Sequence, residues 1–369
     1  MYWKTYRRRI ELLLEEAKSR GFKGFIVSSE DWIFFFTGFR GPGILVAEPN
    51  HVTLCVPALE YSRAYDTLNQ LGLLDHIELD AYNPYSLPED VILGVEPPRR
   101  VYKSVDEIIA QVKGRGFLAC SVTGKLAEAV SKLDCTVFWR HRMVKEPWEL
   151  ERIMEATRIT CRAIDHLINE LDYGVSELEA VGILESYARS HGAWSAFKPI
   201  IAFGRKTAYP HAEPTLDSRL APETPVTIDA GFTYNGYCSD ITRSWWAGEK
   251  DNEYKKLLEA IDEAINEAID TIQPGIKAGE VDKTARNTLK KHGLDKYFTH
   301  SLGHGLGILV HEEPRIAPNT DTTLEEGMVF TIEPGVYIHT KYGARIEEVV
   351  TIGPRKAIVI SSTLPRIIS

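Results

Sequence analysis

An Asn-Gly pair at positions 235 and 236 lies between two runs of β-prone residues, and it constrains the fold more than any other short segment. Such a pair predicts a two-residue β-hairpin turn. With this turn, Asp229 lies opposite Thr242 and shares one face of the hairpin with Asp240. Two carboxylates on one face repel each other unless a proton, a cation or a metal lies between them. The turn therefore predicts an acidic site built on a hairpin.

A second pair of strand-like segments carries two further acids. Glu333 and Glu347 lie about equally far from the polar stretch 339–343, so a hairpin there would present both. His304 stands between two glycines, which let the backbone approach closely and let an imidazole reach a crowded site. Four carboxylates and one imidazole suit Mn²⁺, Co²⁺, Fe²⁺ or Zn²⁺. Two such ions would balance the carboxylate charge, and two metals roughly 3.5–4 Å apart can polarise a substrate oxygen.

Helix and strand patterns divide the chain into two parts. Residues 1–138 alternate: a helix over about 5–20, a strand over 25–28, a hairpin over 43–56, a helix over 59–70, a strand near 91–95 and a helix over 103–114. This alternation predicts a smaller α/β domain. Over 139–369, helices at about 147–170, 176–191, 250–272 and 279–291 come in blocks with strands, which favours an α+β fold. Pro147 suits the first turn of its helix.

Composition narrows the classes of function. A length of 369 residues suits two domains. The 43 basic and 52 acidic residues give a net charge of −9, which argues against binding a nucleic-acid backbone. No apolar run approaches the roughly 20 residues that span a bilayer. We therefore expect neither a nucleic acid nor a membrane among the partners.

The cysteines and the first residues bear on the cellular compartment. Five cysteines, an odd number, occur without a Cys-x-x-Cys pair. This pattern predicts reduced, buried thiols and neither a disulfide framework nor a thiolate zinc site. The basic start is not followed by the apolar segment of a secretory signal. We expect a cytoplasmic protein.

Five residues at matching intervals resemble the metal ligands of one peptidase family: Asp229, Asp240, His304, Glu333 and Glu347. This family is the proline-specific branch of the pita-bread metallopeptidases, with Xaa-Pro dipeptidase (prolidase) and Xaa-Pro aminopeptidase. The segments 36–39 and 145–153 also resemble family signatures, so the resemblance covers nearly the whole chain. It implies a C-terminal pita-bread (creatinase/aminopeptidase-like) catalytic domain preceded by a creatinase/prolidase-type domain. It also implies a homodimer.

The resemblance implies a role for each of the five residues. Asp229 would chelate one of two divalent ions, and His304 and Glu333 would bind the other. Asp240 and Glu347 would contact both ions. Glu333 would also move the proton that activates the attacking water.

Further residues take roles around the reacting bond by the same resemblance. His211 would hydrogen-bond the substrate, and His311 would stabilise the tetrahedral intermediate. Tyr337 and Arg345 would orient groups of the site by hydrogen bonds. Arg315 stands where prolidases place an arginine near the free carboxylate of the substrate, a group that a guanidinium suits.

The implied reaction is hydrolysis of the bond between an amino-terminal residue and a following proline in small peptides. Arg315 favours a dipeptidase, and an Xaa-Pro aminopeptidase acting on longer peptides is the alternative. A non-catalytic binding module of the same fold and a creatinase-like amidinohydrolase are disfavoured, because such proteins lack the full ligand set.

Overall fold

The computed structural model describes residues 3–83, 96–249 and 251–368, and these fall into two compact units. Unit 1 is Met1–Arg142 and unit 2 is Met143–Ser369. The strand predicted near 91–95 lies outside the described residues. In the described part of the chain, no helix has both the length and the apolar character needed to cross a bilayer.

Unit 1 is built on one mixed sheet with helices around it. Its helices are α1 (Trp3–Ser19), α2 (Glu30–Thr37), α3 (Tyr61–Leu71), α4 (Val105–Val112), α5 (Gly124–Ala129) and α6 (Cys135–Met143). Its strands are β1 (Gly24–Val27), β2 (Ile44–Glu48), β3 (His51–Pro57), β4 (Glu78–Tyr82), β5 (Val101–Tyr102), β6 (Phe117–Cys120) and β7 (Lys132–Leu133). The sheet order is β5-β4-β3-β2-β1-β6-β7.

The predicted β2–β3 hairpin is confirmed, with Glu48 opposite His51 at its turn. Strand β1 runs parallel to β6 and antiparallel to β2, and all four of its residues are buried. This continuous burial follows from the apolar sequence Gly-Phe-Ile-Val, which suits a strand covered on both faces. Helices and strands alternate along unit 1, as predicted.

One prediction about the cysteines is wrong. Cys120 at the end of β6 and Cys135 at the start of α6 form a disulfide, with Cα atoms 4.7 Å apart. The two residues are 15 positions apart in a spacing that carries no motif, and the fold brings them together. The other three cysteines, Cys55, Cys161 and Cys238, are buried and form no disulfide among the described residues, as predicted.

The helices of unit 2 occur as two pairs separated by strands. They are α7 (Pro147–Glu170), α8 (Glu177–Ser190), α9 (Asn252–Thr271) and α10 (Ala278–Lys291), each within two residues of its predicted bounds. Pro147 occupies the first turn of α7, as predicted, and Glu146 and Glu149 form a capping box there. Short 3₁₀ helices span Ala58–Glu60 in unit 1 and Gly204–Ala208 and Asp295–Tyr297 in unit 2.

Strands of unit 2 form four small antiparallel sheets. The strands are β8 (Trp194–Ser195), β9 (Ile200–Phe203), β10 (Thr224–Ala230), β11 (Phe232–Tyr234), β12 (Tyr237–Cys238), β13 (Ile241–Ala247), β14 (Gly303–Gly305), β15 (Glu312–Ile316), β16 (Val329–Ile332), β17 (Gly335–Ile338), β18 (Tyr342–Arg345), β19 (Glu348–Ile352) and β20 (Ala357–Val359). The orders are β13-β10-β9, β12-β11-β8, β15-β14-β16-β19-β20 and β17-β18. Helices α9 and α10 pack their apolar faces on this β region, in a core that includes Tyr254, Ile261 and Val281.

Candidate metal centre

The predicted hairpin around Asn235 and Gly236 forms, and it carries two buried aspartates. Both turn residues have positive φ (47° and 87°), as a type I′ turn requires. Asp229 pairs with Thr242, which confirms the predicted register. The hairpin breaks near Asp240, because β10 and β13 belong to one sheet while β11 and β12 belong to another. The two aspartates therefore lie next to the point where the hairpin passes from one sheet to the other.

The second pair of acids lies at a similar break. Glu333 follows β16, and Glu347 precedes β19. The flanking pairs Ile332–Glu348 and Gly335–Arg345 keep one register across the break. The break frees these side chains from either sheet, so that they can point to a common centre. The Glu347 amide donates to the Thr242 carbonyl over 3.0 Å, which joins the second hairpin to the first.

His304 lies on the short strand β14, between two glycines. A Cβ at Gly303 would lie 1.9 Å from the Thr331 carbonyl oxygen, and one at Gly305 would lie 2.1 Å from that of Glu313. Only glycine fits such close strands. This strand places His304 Nε2 at 3.4 Å from Glu333 Oε1 and 3.6 Å from Asp240 Oδ2.

The protonation of His304 suits a metal ligand. Its Nδ1 lies 3.1 Å from the Gly305 carbonyl oxygen, and an Nδ1–H donating there leaves the lone pair of Nε2 free. Burial, with a further contribution from His311, lowers the pKa of His304 to about 4. The imidazole is therefore neutral at pH 7.

We call the four carboxylates Asp229, Asp240, Glu333 and Glu347 the acidic cluster. Ligand atoms lie within 4.8 Å of one another in two overlapping groups, Asp229–Asp240–Glu347 and His304–Glu333–Glu347. One carboxylate oxygen in each of Asp229, Asp240 and Glu347 is buried without a hydrogen-bond partner among the described residues. Buried carboxylate oxygens without partners are costly. Divalent cations would satisfy them, so the donor set fits such ions.

The electrostatics of the acidic cluster show the same shortage of positive charge. Burial raises the pKa of Glu333 to about 8, although the Arg345 guanidinium opposes this. Burial and the neighbouring carboxylates raise the pKa of Asp240 and of Glu347 well above their ordinary values. Without cations, the protein therefore favours protons on these groups.

Arg345 and Tyr337, predicted to orient site groups, contact each other beside the acidic cluster. The Arg345 guanidinium binds the Asp229 carboxylate and donates to the Tyr337 hydroxyl over 2.7 Å. It also donates to Thr242 Oγ1 over 3.1 Å, and Thr242 Oγ1 donates to Glu347 over 2.8 Å. A single guanidinium thus holds one carboxylate directly and a second through a hydroxyl.

The three residues predicted to touch substrate are exposed. The His311 ring lies 4.3 Å from the His304 ring, edge to face, and its ligand atom falls within 4.8 Å of those of Asp240 and His304. Although the residue is exposed, the surrounding protein desolvates its ring enough to lower the pKa of His311. The Asp229 carboxylate opposes this effect and His211 adds to it. Arg315 pairs with His304 across β14 and β15, so the two side chains point to the same face. The structure thus brings His311 and His211 near each other and Arg315 to the His304 face.

His300 is a site residue that the sequence did not reveal. Its Nε2 lies 3.0 Å from the Tyr337 hydroxyl, and its Nδ1 lies 3.9 Å from Glu333 Oε2. Burial, with Arg345, lowers its pKa to about 4, so it accepts from Tyr337 as a neutral ring. No spacing signal marks it, because its neighbours come from another hairpin. Thr242, in contrast, could have been found from the register that places it opposite Asp229.

Comparison with known proteins decides the family. Residues 151–354 match the model of metallopeptidase family M24, and residues 9–137 match that of the creatinase/prolidase N-terminal domain. The chain belongs to metallopeptidase family M24. It is a peptidase of the proline-specific pita-bread branch, so the predicted resemblance, fold class and enzyme class are confirmed.

Relatives of this M24 peptidase match it over more than nine-tenths of its length. A Xaa-Pro dipeptidase of Pyrococcus furiosus is 32% identical over 94% of this chain and 95% of its own. The crystal structure of the prolidase from Pyrococcus horikoshii OT3 superposes with a TM-score of 0.83 at 29% identity, covering 96% of this chain and 98% of that one. An X-Pro aminopeptidase from Thermotoga maritima gives 0.76 at 26% identity, covering 96% and 100%.

Proposed function

We propose that this M24 peptidase is a Xaa-Pro dipeptidase that uses two divalent ions held by the acidic cluster and His304. The observation that carries the proposal is the convergence of four carboxylates and an imidazole with three unpartnered buried oxygens. The name of the Pyrococcus furiosus relative supports the substrate class.

The overlap of the two ligand groups supports a role for each residue. Asp229 would hold one ion, while His304 and Glu333 would hold the other. Glu347 belongs to both groups, and Asp240 lies within reach of Asp229 and of His304, so these two would contact both ions. Oxygen ligands with one nitrogen suit Mn²⁺, Co²⁺, Fe²⁺ or Zn²⁺.

When bound, the ions would supply Lewis-acid polarisation of the scissile carbonyl and a water that is nucleophilic near neutral pH. Glu333 would take a proton from that water and return it to the leaving prolyl nitrogen. Its environment supports this role, because burial disfavours the ionised carboxylate. Arg345 would hold Asp229 and orient it, through the contact described above.

His211, His311 and Arg315 would select the substrate. The two histidines are exposed near the acidic cluster, where they can hydrogen-bond a substrate carbonyl. Proline lacks an N–H and restricts the residue before it, so the site must accept a tertiary amide. Arg315 shares the face of His304 and would bind the free carboxylate of a dipeptide with its guanidinium.

Hydrolysis of a matched peptide panel tests the function. With Mn²⁺ or Co²⁺, we expect Ala-Pro to be cleaved and Ala-Ala to be poorly cleaved. Ala-Pro-Ala should be slower than Ala-Pro, and Arg315→Ala should reduce the rate on Ala-Pro more than on Ala-Pro-Ala. Faster cleavage of Ala-Pro-Ala with no effect of Arg315→Ala would identify an Xaa-Pro aminopeptidase instead. Failure to cleave any Xaa-Pro bond would refute the proposal.

Our proposal extends to metal count, assembly and location. Two ions per chain are expected by mass spectrometry of the purified protein, and a homodimer by light scattering. A cytoplasmic location remains part of the proposal. The Cys120–Cys135 disulfide removes the argument that we based on reduced cysteines. Fractionation of the native cells would test the location.

A further inference from the structure

Unit 1 contains a cavity of about 300 Å³ that the peptidase function does not use. We call it the polar pocket. It lies between strands β2 to β5 and helix α4, and its charged lining includes Glu48, Glu78, Asp80, Arg99, Arg100 and Arg115. Its size is at the lower end of the range for small-molecule sites.

Asp80 is the least compensated group of the polar pocket. Its side chain is on β4 beside Cys55 of β3, and it is 5% exposed. Oδ1 is buried without a hydrogen-bond partner among the described residues. The carboxylate receives a 3.5 Å contact on Oδ2 from the Tyr102 hydroxyl and a hydrogen bond from the Arg100 backbone N–H. Burial raises the pKa of Asp80, and the Arg100 guanidinium opposes this. A buried carboxylate in this state calls for a cationic donor.

The other two acids of the polar pocket already have such donors. Glu48 binds Lys23 over 2.8 Å and Arg115 over 3.0 Å. Glu78 forms an ion pair with Arg99. Among the described residues of this lining, Asp80 is therefore the acid that forms no direct ion pair.

Arg100 is the matching cation. It donates to two neutral groups, the Tyr102 hydroxyl over 3.2 Å and Gln111 Oε1 over 3.4 Å. The Tyr102 hydroxyl thus lies between the guanidinium of Arg100 and the carboxylate of Asp80. Asp80, which can accept from a cation, and Arg100, which can donate to an anion, therefore lie on two sides of one hydroxyl in the same cavity.

We propose that the polar pocket binds a small zwitterion, a molecule with one ammonium and one carboxylate group. The ammonium would donate to Asp80, and the carboxylate would accept from the fork of Arg100. Free amino acids and dipeptides share this chemistry and differ in the separation of their charges. The pocket is a second site, since its lining lies in unit 1 and the acidic cluster in unit 2. It does not depend on the proposed function.

Calorimetric titration of the full-length, metal-free protein tests the proposal. The probes are L-alanine, L-proline and the dipeptide Ala-Ala. At least one should bind, and Asp80→Asn should weaken its affinity by at least tenfold, about 1.4 kcal/mol. Tighter binding of the amino acids or of the dipeptide shows which class of zwitterion the pocket prefers. Absence of binding by all three at 50 mM, or equal affinity in Asp80→Asn, would overturn the proposal.

Matched variants separate this site from the rest of the molecule. Asp106→Asn removes an exposed carboxylate of the same unit, paired with Lys125, and should bind as the wild type does. Asp240→Ala removes an acid of the acidic cluster and should also leave binding unchanged. A loss of binding in Asp240→Ala would place the ligand in the candidate metal centre and refute the second site. This readout is independent of whether peptides are hydrolysed.

A second variant and two fragment ligands complete the test. If circular dichroism shows that Asp80→Asn does not fold, Arg100→Gln replaces it, because Arg100 is exposed. Arg100→Gln should weaken the zwitterion at least tenfold, and Arg7→Gln, at an exposed pair with Glu11, should not. Ethylamine and propionate carry the two halves of the ligand separately and should each bind more weakly. Equal binding of ethylamine alone would refute the role of the carboxylate.

Discussion

Both units of this peptidase bury carboxylates, and the two sites differ in the number of buried acids that lie together. In unit 2, four acids and an imidazole face one another, and one arginine binds at their edge. In unit 1, three acids line the polar pocket, and one of them, Asp80, is buried across a tyrosine hydroxyl from an arginine. Many acids with few cations call for divalent ions, whereas one acid and one displaced arginine call for a ligand that carries both charges.

The comparison also shows two ways of holding a buried acid in place. Asp240, Glu333 and Glu347 lie at breaks between sheets, where the side chains are free of the strand alternation. Asp80 lies within β4, so the alternation of the strand fixes the face it occupies. The first arrangement lets distant segments converge, and the second provides one fixed contact point.

The largest expected effect is the loss of activity when one carboxylate of the acidic cluster is removed. We expect Asp240→Asn to lower kcat/KM on Ala-Pro by more than about 100-fold, the upper end for residues that only support a ligand. Bound metal should fall in parallel, because asparagine lacks the charged carboxylate that our proposal assigns to both ions. Asp106→Asn is the control of equal charge. Full activity of Asp240→Asn would break the proposed distinction between the two sites.

A second expected effect is a pH-dependent stabilisation by metal. Burial raises the pKa of Glu333 from 4.5 to about 8 in the metal-free protein. Such a carboxyl stabilises the folded state below its unfolded pKa, and this contribution is lost as pH rises from about 4.5 through 8. Asp240 and Glu347 shift in the same direction. The free energy of unfolding of the metal-free protein should therefore fall over this window.

Divalent ions replace the lost protons, so their effect should grow with pH. We expect the rise in Tm on adding Mn²⁺ to EDTA-treated protein to be several degrees larger at pH 8 than at pH 5.5. Differential scanning calorimetry in matched buffers measures both values. An equal rise in Tm at the two pH values would contradict our inference that the acidic cluster lacks positive charge in the metal-free protein.

How much could be predicted from the sequence depends on whether a signal is local. The Asn235-Gly236 turn and the position of Asp229 opposite Thr242 followed from turn chemistry and strand alternation, and both are confirmed. The helices of unit 2 followed from apolar spacing and caps. These features depend on residues close together in the sequence, so they can be predicted without knowledge of tertiary contacts.

Features that depend on burial in the folded chain were missed. His300 reaches Tyr337 across 37 positions, and Cys120 meets Cys135 only because β6 and α6 adjoin. Asp80 is one of many acids, and nothing beside it in sequence marks it as buried. Charge alone cannot distinguish such a residue from a solvated one. The desolvation penalty arises from the strands and the helix that cover the carboxylate in the folded chain.

A smaller effect is expected from the hydroxyl that joins Arg345 to His300. Tyr337→Phe removes an acceptor of Arg345 and a donor to His300 and leaves the acidic cluster intact. We expect kcat on Ala-Pro to fall about tenfold, in the range for residues that orient ligands. Tm should change by no more than a few degrees. Tyr65→Phe, which removes an exposed hydroxyl bonded to Glu96, is the control. An unchanged kcat in Tyr337→Phe would exclude the positioning role.

The smallest expected effect is a gain in stability when Asp80 becomes neutral. A buried carboxyl with a raised pKa stabilises the folded state at low pH and loses this contribution as pH rises through its folded pKa. Asp80→Asn should therefore raise the free energy of unfolding at pH 7.5 by about 1 kcal/mol, the order of one unsatisfied buried group. The gain should shrink toward pH 4, because the raised pKa lets Asp80 take up a proton more readily than an ordinary aspartate. Calorimetry at the two pH values measures it, and a loss of stability at pH 7.5 would show that Asp80 is compensated within unit 1 and not by a ligand.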